Sequence, residues 1–295
     1  MKFAQILNVL AIIAVGLVAS GHAAYSETLA KNLFGHKALP AVMPAKSYGF
    51  YSKGCFGGGV AIATDGPHWQ AMRLSRNRRW GHPAMIALIE RLSRDAARDG
   101  WPGLLVGDIS QPRGGPMLTG HASHQVGLDA DIWLMPAPPR KLSVAERESI
   151  SAASMIGAKE EVPKGNWKVD PTIWSGGQVE LIKAAASDPR VARIFVHPAI
   201  KKALCEAAGG DRGWLSRVRP WYGHHYHMHV RLNCPKGAVG CKNQDGPPAG
   251  DGCGSALDYW FSKAPYAPPK KPAKPRPPMT MASLPAACKQ VLEAK

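Results

Sequence analysis

The stretch LDADIWL, residues 128–134, decides the fold, because its side chains alternate between two kinds. Every second residue is aliphatic, namely Leu128, Ala130, Ile132 and Leu134. The intervening residues, Asp129, Asp131 and Trp133, carry two carboxylates and an indole. Successive side chains of a β-strand point to opposite faces of its sheet. The stretch therefore predicts a strand with one face in the core and two acids on the other face.

A second stretch with the same period lies about a hundred residues later, at residues 228–232. Met228, Val230 and Leu232 would face the core, whereas His227, His229 and Arg231 would share the opposite face. Two imidazoles side by side on a rigid strand suit the binding of an ion and the placing of a base beside it.

The other elements indicate an α+β domain. Pro83 suits the first turn of a helix that Gly100 ends, with an apolar face at Met85, Leu88, Ile89, Leu92 and Ala96. Further helices are predicted at residues 177–187 and 198–208, and strands at 104–106 and 191–196. Residues 24–80 are predicted to be Gly-rich and irregular, and residues 135–170 are predicted to form a long excursion from the core, without regular helices or strands.

The N-terminus predicts export. Residues 1–23 show a charged start, an apolar run at 6–19 and a small-x-small site at Gly21-His22-Ala23, as in a cleavable signal peptide. The alternative is a membrane anchor, but the run of about 14 residues is short of the roughly 20 that span a bilayer. No later segment is long and apolar enough to cross a membrane. Export argues against nucleic acid as the partner of this basic chain.

The composition indicates an oxidising compartment and a distinct C-terminal segment. The 295 residues carry 37 basic and 21 acidic side chains, a net charge of +16, and six cysteines. An even cysteine count in an oxidising compartment predicts three disulfides, and spacing does not choose among about 15 connectivities. We expect a body at 24–262 and a basic, Pro-rich extension at 263–295, where eight prolines favour extended polyproline structure.

The histidines indicate the chemistry. Six of eleven lie in two clusters, GHASH at residues 120–124 and GHHYHMH at 223–229. His124, Asp131 and a histidine of the second cluster form an N2O set that suits zinc and leaves a fourth position for water. Such a site favours hydrolysis, most plausibly of an amide. The chain has no H-E-x-x-H, G-x-S-x-G, S-x-x-K or P-loop motif.

At these residues the sequence resembles the LAS zinc peptidases, which share a hedgehog-like fold. The resemblance rests on S-H-x-x-G-x-x-x-D at residues 123–131 and H-x-H at 227–229. More narrowly, the chain resembles the penicillin-insensitive murein endopeptidases over the stretches 72–83, 107–134, 188–215 and 221–235. This resemblance implies a small antiparallel sheet that carries the zinc site and is flanked by helices and long loops.

The resemblance also implies a function. It implies a periplasmic enzyme that cleaves the peptide cross-links of peptidoglycan, chiefly the D-alanyl–meso-diaminopimelyl bond. His124, Asp131 and His229 match the zinc ligands. His227 matches a catalytic histidine beside the metal, and His224 matches a second one that binds the water or stabilises the oxyanion.

Two further features follow from the resemblance alone. One is a second zinc at a homodimer interface with His121 as a ligand, although residues 132–196 contain no histidine to complete it. The other is the disulfide pairing Cys55–Cys288, Cys205–Cys253 and Cys234–Cys241. The first of these pairs would tie the Pro-rich extension back to the N-terminal region.

Three alternatives stay open on sequence. A non-catalytic, zinc-containing wall-binding protein of the same fold would use the basic surface but would not need the spare histidines. A carboxypeptidase or dipeptidase of the LAS group would use an acidic base where this chain has His227. The basic cluster Arg73, Arg76, Arg78 and Arg79 is either a solvated face or a site for a substrate carboxylate.

Overall fold

A computed structural model describes residues 28–157, 167–269 and 277–295. The predicted signal peptide at 1–23 lies outside the described residues. The helices are α1 Ala30–Gly35, α2 Pro83–Arg98, α3 Val144–Ser149, α4 Gly176–Ser187, α5 Pro198–Ala207, α6 Ser255–Phe261 and α7 Ala287–Glu293. The strands are β1 Lys46–Phe50, β2 Lys53–Gly57, β3 Val60–Ala61, β4 Asp65–Gly66, β5 Trp69–Ala71, β6 Trp80–Gly81, β7 Leu104–Val106, β8 Asp129–Trp133, β9 Val191–Val196, β10 Val218–Pro220 and β11 His227–Leu232.

A seven-stranded sheet in the order β10-β9-β11-β8-β7-β5-β4 forms the centre of the fold. The pairs β9–β11, β11–β8, β8–β7 and β5–β4 are antiparallel, whereas the pairs β10–β9 and β7–β5 are parallel. The α+β class is confirmed, but the predicted small antiparallel sheet is too narrow a description. The outer strands β4, β5 and β10 have two or three residues each, too few to show an alternating pattern.

The two deciding strands are neighbours in this sheet. β8 and β11 pair antiparallel, and His229 lies opposite Asp131. The aliphatic residues predicted to face inward are buried in one large cluster, together with the apolar face of α2. Because the apolar side of both strands is fixed in this core, their polar side chains share the other face of the sheet.

The longer predicted helices and strands are present within a residue or two of their expected ends. Helix α2 begins at Pro83, and the ring of His82 accepts a hydrogen bond from the backbone N–H of Ala84. The segments expected to be irregular contain more structure than predicted. Residues 24–80 include the hairpin of β1 and β2, and residues 135–170 include α3, which begins with a Ser143–Glu146 capping box.

The C-terminal end of the chain returns to the N-terminal part of the body. Helix α7 packs against β2, and Cys288 and Cys55 lie in one small core with Phe34. The guanidinium of Arg113 donates hydrogen bonds to the carbonyl oxygens of residues 291, 292 and 294. The described end of the predicted extension therefore belongs to the folded body, while residues 270–276 lie outside the described residues.

Three disulfides join Cys55 to Cys288, Cys205 to Cys253 and Cys234 to Cys241. These are the pairings that the resemblance implies, and they use all six cysteines. Among the described residues, every helix is too short or too polar to cross a lipid bilayer.

Candidate active site

The polar face of the β8–β11 pair gathers three residues from separate parts of the chain. Asp131 and His229 come from the paired strands, and His124 comes from the loop before β8. A turn at Gly127 connects His124 to the strand, with a φ of +71°. A β-carbon at Gly127 would lie 2.9 Å from the backbone nitrogen of His82, so only glycine fits this turn.

His124 itself is held in an unusual backbone conformation. Its φ is +67°, in the left-handed region that non-glycine residues seldom adopt. Its side chain is completely buried, and its Nδ1 lies 2.5 Å from the carbonyl oxygen of Ile109. Because a carbonyl accepts but does not donate, Nδ1 carries the proton and Nε2 presents its lone pair to the site.

The three side chains converge on one point. His124 Nε2 lies 3.2 Å from His229 Nδ1 and 3.4 Å from Asp131 Oδ1, and His229 Nδ1 lies 3.2 Å from the same oxygen. Asp131 Oδ1 is buried and has no hydrogen-bond partner among the described residues. A buried carboxylate oxygen between two imidazole nitrogens is arranged to bind a cation.

Asp129 supports this arrangement from behind. Its carboxylate lies 3.0 Å from His229 Nε2, accepts from Arg231 Nε at 2.7 Å and accepts from the backbone N–H of His124 at 3.0 Å. Burial alone would raise the pKa of Asp129, but Arg231 and His229 outweigh burial and hold the pKa well below its usual range. Since the ionised Asp129 accepts a hydrogen bond from the Nε2–H of His229, the Nδ1 lone pair of His229 faces Asp131.

Two more histidines lie beside this centre. His227 Nε2 is 3.6 Å from Asp131 Oδ1, and the rings of His227 and His224 are 4.9 Å apart. Burial lowers the pKa of His227 to about 4 and that of His224 to about 3, so both imidazoles are neutral near pH 7. The Nδ1 of His224 lies 2.5 Å from the carbonyl oxygen of Tyr222 and therefore carries its proton, which leaves Nε2 as an acceptor.

His121 lies in the same cluster and not at a separate surface. Its Nε2 is 3.0 Å from Asp108 Oδ2, and its Nδ1 is 3.6 Å from Asp131 Oδ2. His121, His124 and Asp131 place ligand atoms close enough to hold a metal. Two overlapping sets are thus available, sharing His124 and Asp131 and completed by His229 or His121. The second zinc and the dimer stay predictions.

The basic cluster at residues 73–79 is largely occupied within the protein. Arg76 and Arg78 bind the buried carboxylate of Asp108, and Arg79 donates to the carbonyl of Ile62. Arg73 donates to the carbonyl oxygen of Ile150 at 2.7 Å. These contacts hold the loop against the site, so the solvated-face interpretation does not describe the cluster.

The centre opens into two grooves, one beside His227 and the other beside His224 and His229. One, of about 290 Å³, is lined by Asp131, His227, Trp133 and Arg76. The other, of about 510 Å³, is lined by His224, His229, Phe195 and Trp221. His121 lines both. An extended chain can therefore pass the centre and continue on either side of it.

The structure brings together the histidines and Asp131 that the sequence indicates, and two acids to which the sequence assigns no role support them. Asp129 was placed on the polar face without a role, although its spacing of two from Asp131 puts both on one face. Asp108 follows β7 and binds His121, Arg76 and Arg78. No sequence pattern singles it out, because its partners come from distant loops.

Comparison with known sequences bears on this site. The sequence profile of the penicillin-insensitive murein endopeptidases matches residues 47–293. The chain belongs to this family. It is 45% identical to the penicillin-insensitive murein endopeptidase of Haemophilus influenzae over 85% of this chain and 83% of that protein. It is 40% identical to the Yersinia enterocolitica protein of the same name over 92% of this chain and 94% of that protein, and 40% identical to an Escherichia coli one over 97% and 98%.

This membership confirms the resemblance to the penicillin-insensitive murein endopeptidases. It makes the chain a peptidase of the murein endopeptidase family, and the expectation of an enzyme is confirmed. The alternative of a non-catalytic wall-binding protein gains no support from these relatives.

Proposed function

We propose that the protein is a zinc-dependent murein endopeptidase that hydrolyses the D-alanyl–meso-diaminopimelyl cross-link of peptidoglycan. His124, Asp131 and His229 bind the zinc ion. His227 is the general base, and His224 binds the attacking water. Family membership supports the substrate, and the geometry of the site supports the metal and these roles.

The spacing of the three ligand atoms carries the proposal. Zinc binds imidazole nitrogen at about 2.0–2.1 Å and carboxylate oxygen at about 2.0–2.2 Å, usually with tetrahedral geometry. Ligands at the corners of such a tetrahedron are about 3.3–3.5 Å apart. The three distances of 3.2, 3.2 and 3.4 Å agree with this spacing. Three protein ligands leave one corner for water, as catalytic zinc sites do.

The proposed zinc supplies Lewis acidity, which lowers the pKa of water and polarises a carbonyl group. Neutral, buried His227 lies beside the Asp131 oxygen and is free to take the proton of the attacking water. It can later return that proton to the leaving amine. The Nε2 of His224 is an acceptor, which supports water binding and argues against a role for neutral His224 as an oxyanion donor.

The two grooves support an endopeptidase. An enzyme that cuts inside a cross-linked peptide must hold chain on both sides of the scissile bond. A carboxypeptidase needs only a closed end on one side. The grooves of about 290 and 510 Å³ leave room on both sides of the histidines.

The proposal includes the compartment and the fold group. A murein substrate lies outside the cytoplasmic membrane, and three disulfides suit an oxidising space. Both observations support a periplasmic location and a signal peptide at residues 1–23. The antiparallel β8–β11 pair, with the ligands on one face, supports the LAS-type, hedgehog-like fold. A homodimer with an interface zinc at His121 stays part of the prediction.

The test uses purified protein and a defined, cross-linked muropeptide dimer, with products identified by mass. We expect cleavage into monomers at the D-alanyl–diaminopimelyl bond, loss of cleavage with a chelator, and recovery on adding zinc. His229→Ala should lose zinc and cleavage together. The matched control is His36→Ala, because His36 is exposed and its ring bonds to the carbonyl oxygen of Asn32 in α1, the helix that it follows. Undiminished cleavage by the chelated protein or by His229→Ala would overturn the metal assignment.

A further inference from the structure

The larger groove contains arginines that the proposed mechanism does not use. Arg193 on β9, Arg219 on β10 and Arg231 on β11 all line it, next to His224 and His229. The register of the sheet brings them there. Arg219 lies opposite Phe195, which lies opposite His229, so these three residues form one row across the polar face. Neighbouring strands are about 4.8 Å apart, which places the backbone of Arg219 about 10 Å from that of His229.

The three arginines differ in what they bind. Arg231 is neutralised by Asp129 at 2.7 Å. Arg193 donates only to the backbone carbonyls of Asp245 and Gly246. Arg219 makes no hydrogen bond or ion pair with any residue in the part of the chain that the structure describes. Burial lowers the pKa of Arg193 and of Arg219, and for Arg193 the neighbouring Arg219 adds to this effect. Both guanidinium groups are half-buried; the carboxylate of Asp245 acts on Arg193, whereas no acid among the described residues pairs with Arg219.

Arg219 is partly exposed and lines the groove, and its guanidinium lies against Gly252. A β-carbon at Gly252 would lie 2.7 Å from Arg219 Nη1, so the glycine leaves the room that the guanidinium occupies. Aromatic rings line the same groove, with Phe195 and Trp221 6.1 Å apart and Trp221 and Trp260 5.9 Å apart. Trp221 is 54% exposed. A ligand that joins a carboxylate to a hydrocarbon chain matches this combination of cations and rings.

We propose that Arg219, assisted by Arg193, forms a carboxylate-binding subsite for the diaminopimelyl residue of the cross-link. This inference rests on the proposed function. In the cross-link, the carbon that carries the cleaved amide nitrogen also carries a free carboxylate, and the rest of that residue is a hydrocarbon chain. Arg219 binds this carboxylate with its planar guanidinium, and the aromatic wall packs against the chain. The subsite positions the scissile bond and selects diaminopimelyl cross-links over those without the acid.

The basic cluster at residues 73–79 was the other candidate for this role. Arg76 and Arg78 already share the carboxylate of Asp108, and Arg73 is bonded to backbone carbonyls. Arg219 has no such partner among the described residues, so we assign the substrate carboxylate to the groove of β9, β10 and β11.

The test compares two dimers that differ only in that carboxylate, which is free in one and converted to an amide in the other. A hydrogen bond to a charged group contributes about 1.5–3 kcal/mol, which is about 10- to 150-fold in kcat/KM. We expect the wild-type protein to prefer the free acid by such a factor. In Arg219→Ala, kcat/KM on the free acid should fall by this factor. Its kcat/KM on the amide should equal that of the wild-type protein. Arg219→Lys should recover part of the preference.

The matched control is Arg98→Ala, which removes an arginine whose side chain is 76% exposed at the end of α2. It should keep the wild-type preference for the acid. An undiminished preference in Arg219→Ala, or an equal loss in Arg98→Ala, would overturn the subsite.

A binding measurement separates this inference from the proposed function. Calorimetry measures the affinity of the protein for the monomeric muropeptide, as the free acid and as the amide. This measurement tests the subsite without any turnover. If the wild-type protein cleaves neither dimer, the proposed function fails, and a preference for the acid that depends on Arg219 still supports the subsite. If cleavage occurs but neither binding nor turnover distinguishes acid from amide, the subsite is wrong and the endopeptidase stands.

Discussion

Asp129 offers a sharp test of how the sheet supports the metal site. It is completely buried and interacts with His229, Arg231 and the backbone of His124 at 2.7–3.0 Å. In Asp129→Asn, the negative charge that His229 and Arg231 face is lost, and one carboxylate oxygen becomes an NH₂ group that faces a donor in either orientation of the amide. His229 then loses the partner that fixes its tautomer. Loss of such an outer partner weakens metal binding by about 10- to 100-fold, which is about 1.4–2.7 kcal/mol.

The assay is competition for zinc between the protein and a chelating dye at pH 7.5, with unfolding followed in parallel. The matched control is Asp188→Asn. Asp188 is also buried and binds two arginines, Arg91 and Arg190, but it precedes β9 and contacts no site residue. Both variants should lose stability, and only Asp129→Asn should lose zinc affinity. Zinc affinity within twofold of wild type in Asp129→Asn would refute the reasoning.

Three other predictions concern the base, a disulfide and a buried lysine. His227→Ala should keep zinc but lose most turnover on muropeptide dimers, and retained turnover would move the base role to His224. Replacing Cys55 and Cys288 with alanine should lower the free energy of unfolding by about 5 kcal/mol in the chain-entropy model, measured in denaturant, because the bridge closes a loop of 233 residues. Burial lowers the pKa of Lys201 in the folded protein to about 7, whereas the pKa of lysine in the unfolded chain is about 10.4. Between these two pH values the unfolded chain binds more protons than the folded protein, so the free energy of unfolding rises with pH. From pH 7.5 to 9 that slope is at most about 1.4 kcal/mol per unit, and it should be smaller in Lys201→Met; equal slopes would contradict the assignment.

The parts of the fold that could be predicted are those whose core residues repeat within one segment. Strands β8 and β11 and helix α2 each present a regular apolar face, and that face is buried as expected. The hairpin of β1 and β2 could not be seen because its sequence, KSYGFYSKGCFG, has little apolar alternation. Its stability depends on distant partners, including the bond from Cys55 to Cys288 and the hydrogen bond from Ser47 to the carbonyl of Val126.

The candidate site also contains residues that the sequence indicates and residues that it does not. The histidine clusters stand out because several chemically unusual residues lie close together in sequence. Arg219 lies in the short strand VRP, and nothing about that strand marks it in the sequence. Only the pairing of β10 with β9, and of β9 with β11, brings it to the groove. Residues of this kind become visible when the register across several strands is known.

That register also explains why ligands and their supports recur at a spacing of two. Asp131 pairs with His229 in one row of the sheet, and Asp129 pairs with Arg231 in the next row. The D-x-D of β8 and the H-x-R of β11 therefore place the proposed metal-binding pair in front and a charge-balancing pair directly behind it. A slip of β11 by one residue would turn His229 and Arg231 toward the core and bring Met228 and Val230 out. The burial of those two apolar residues holds the register, so the packing on one face of β11 fixes the electrostatics on the other.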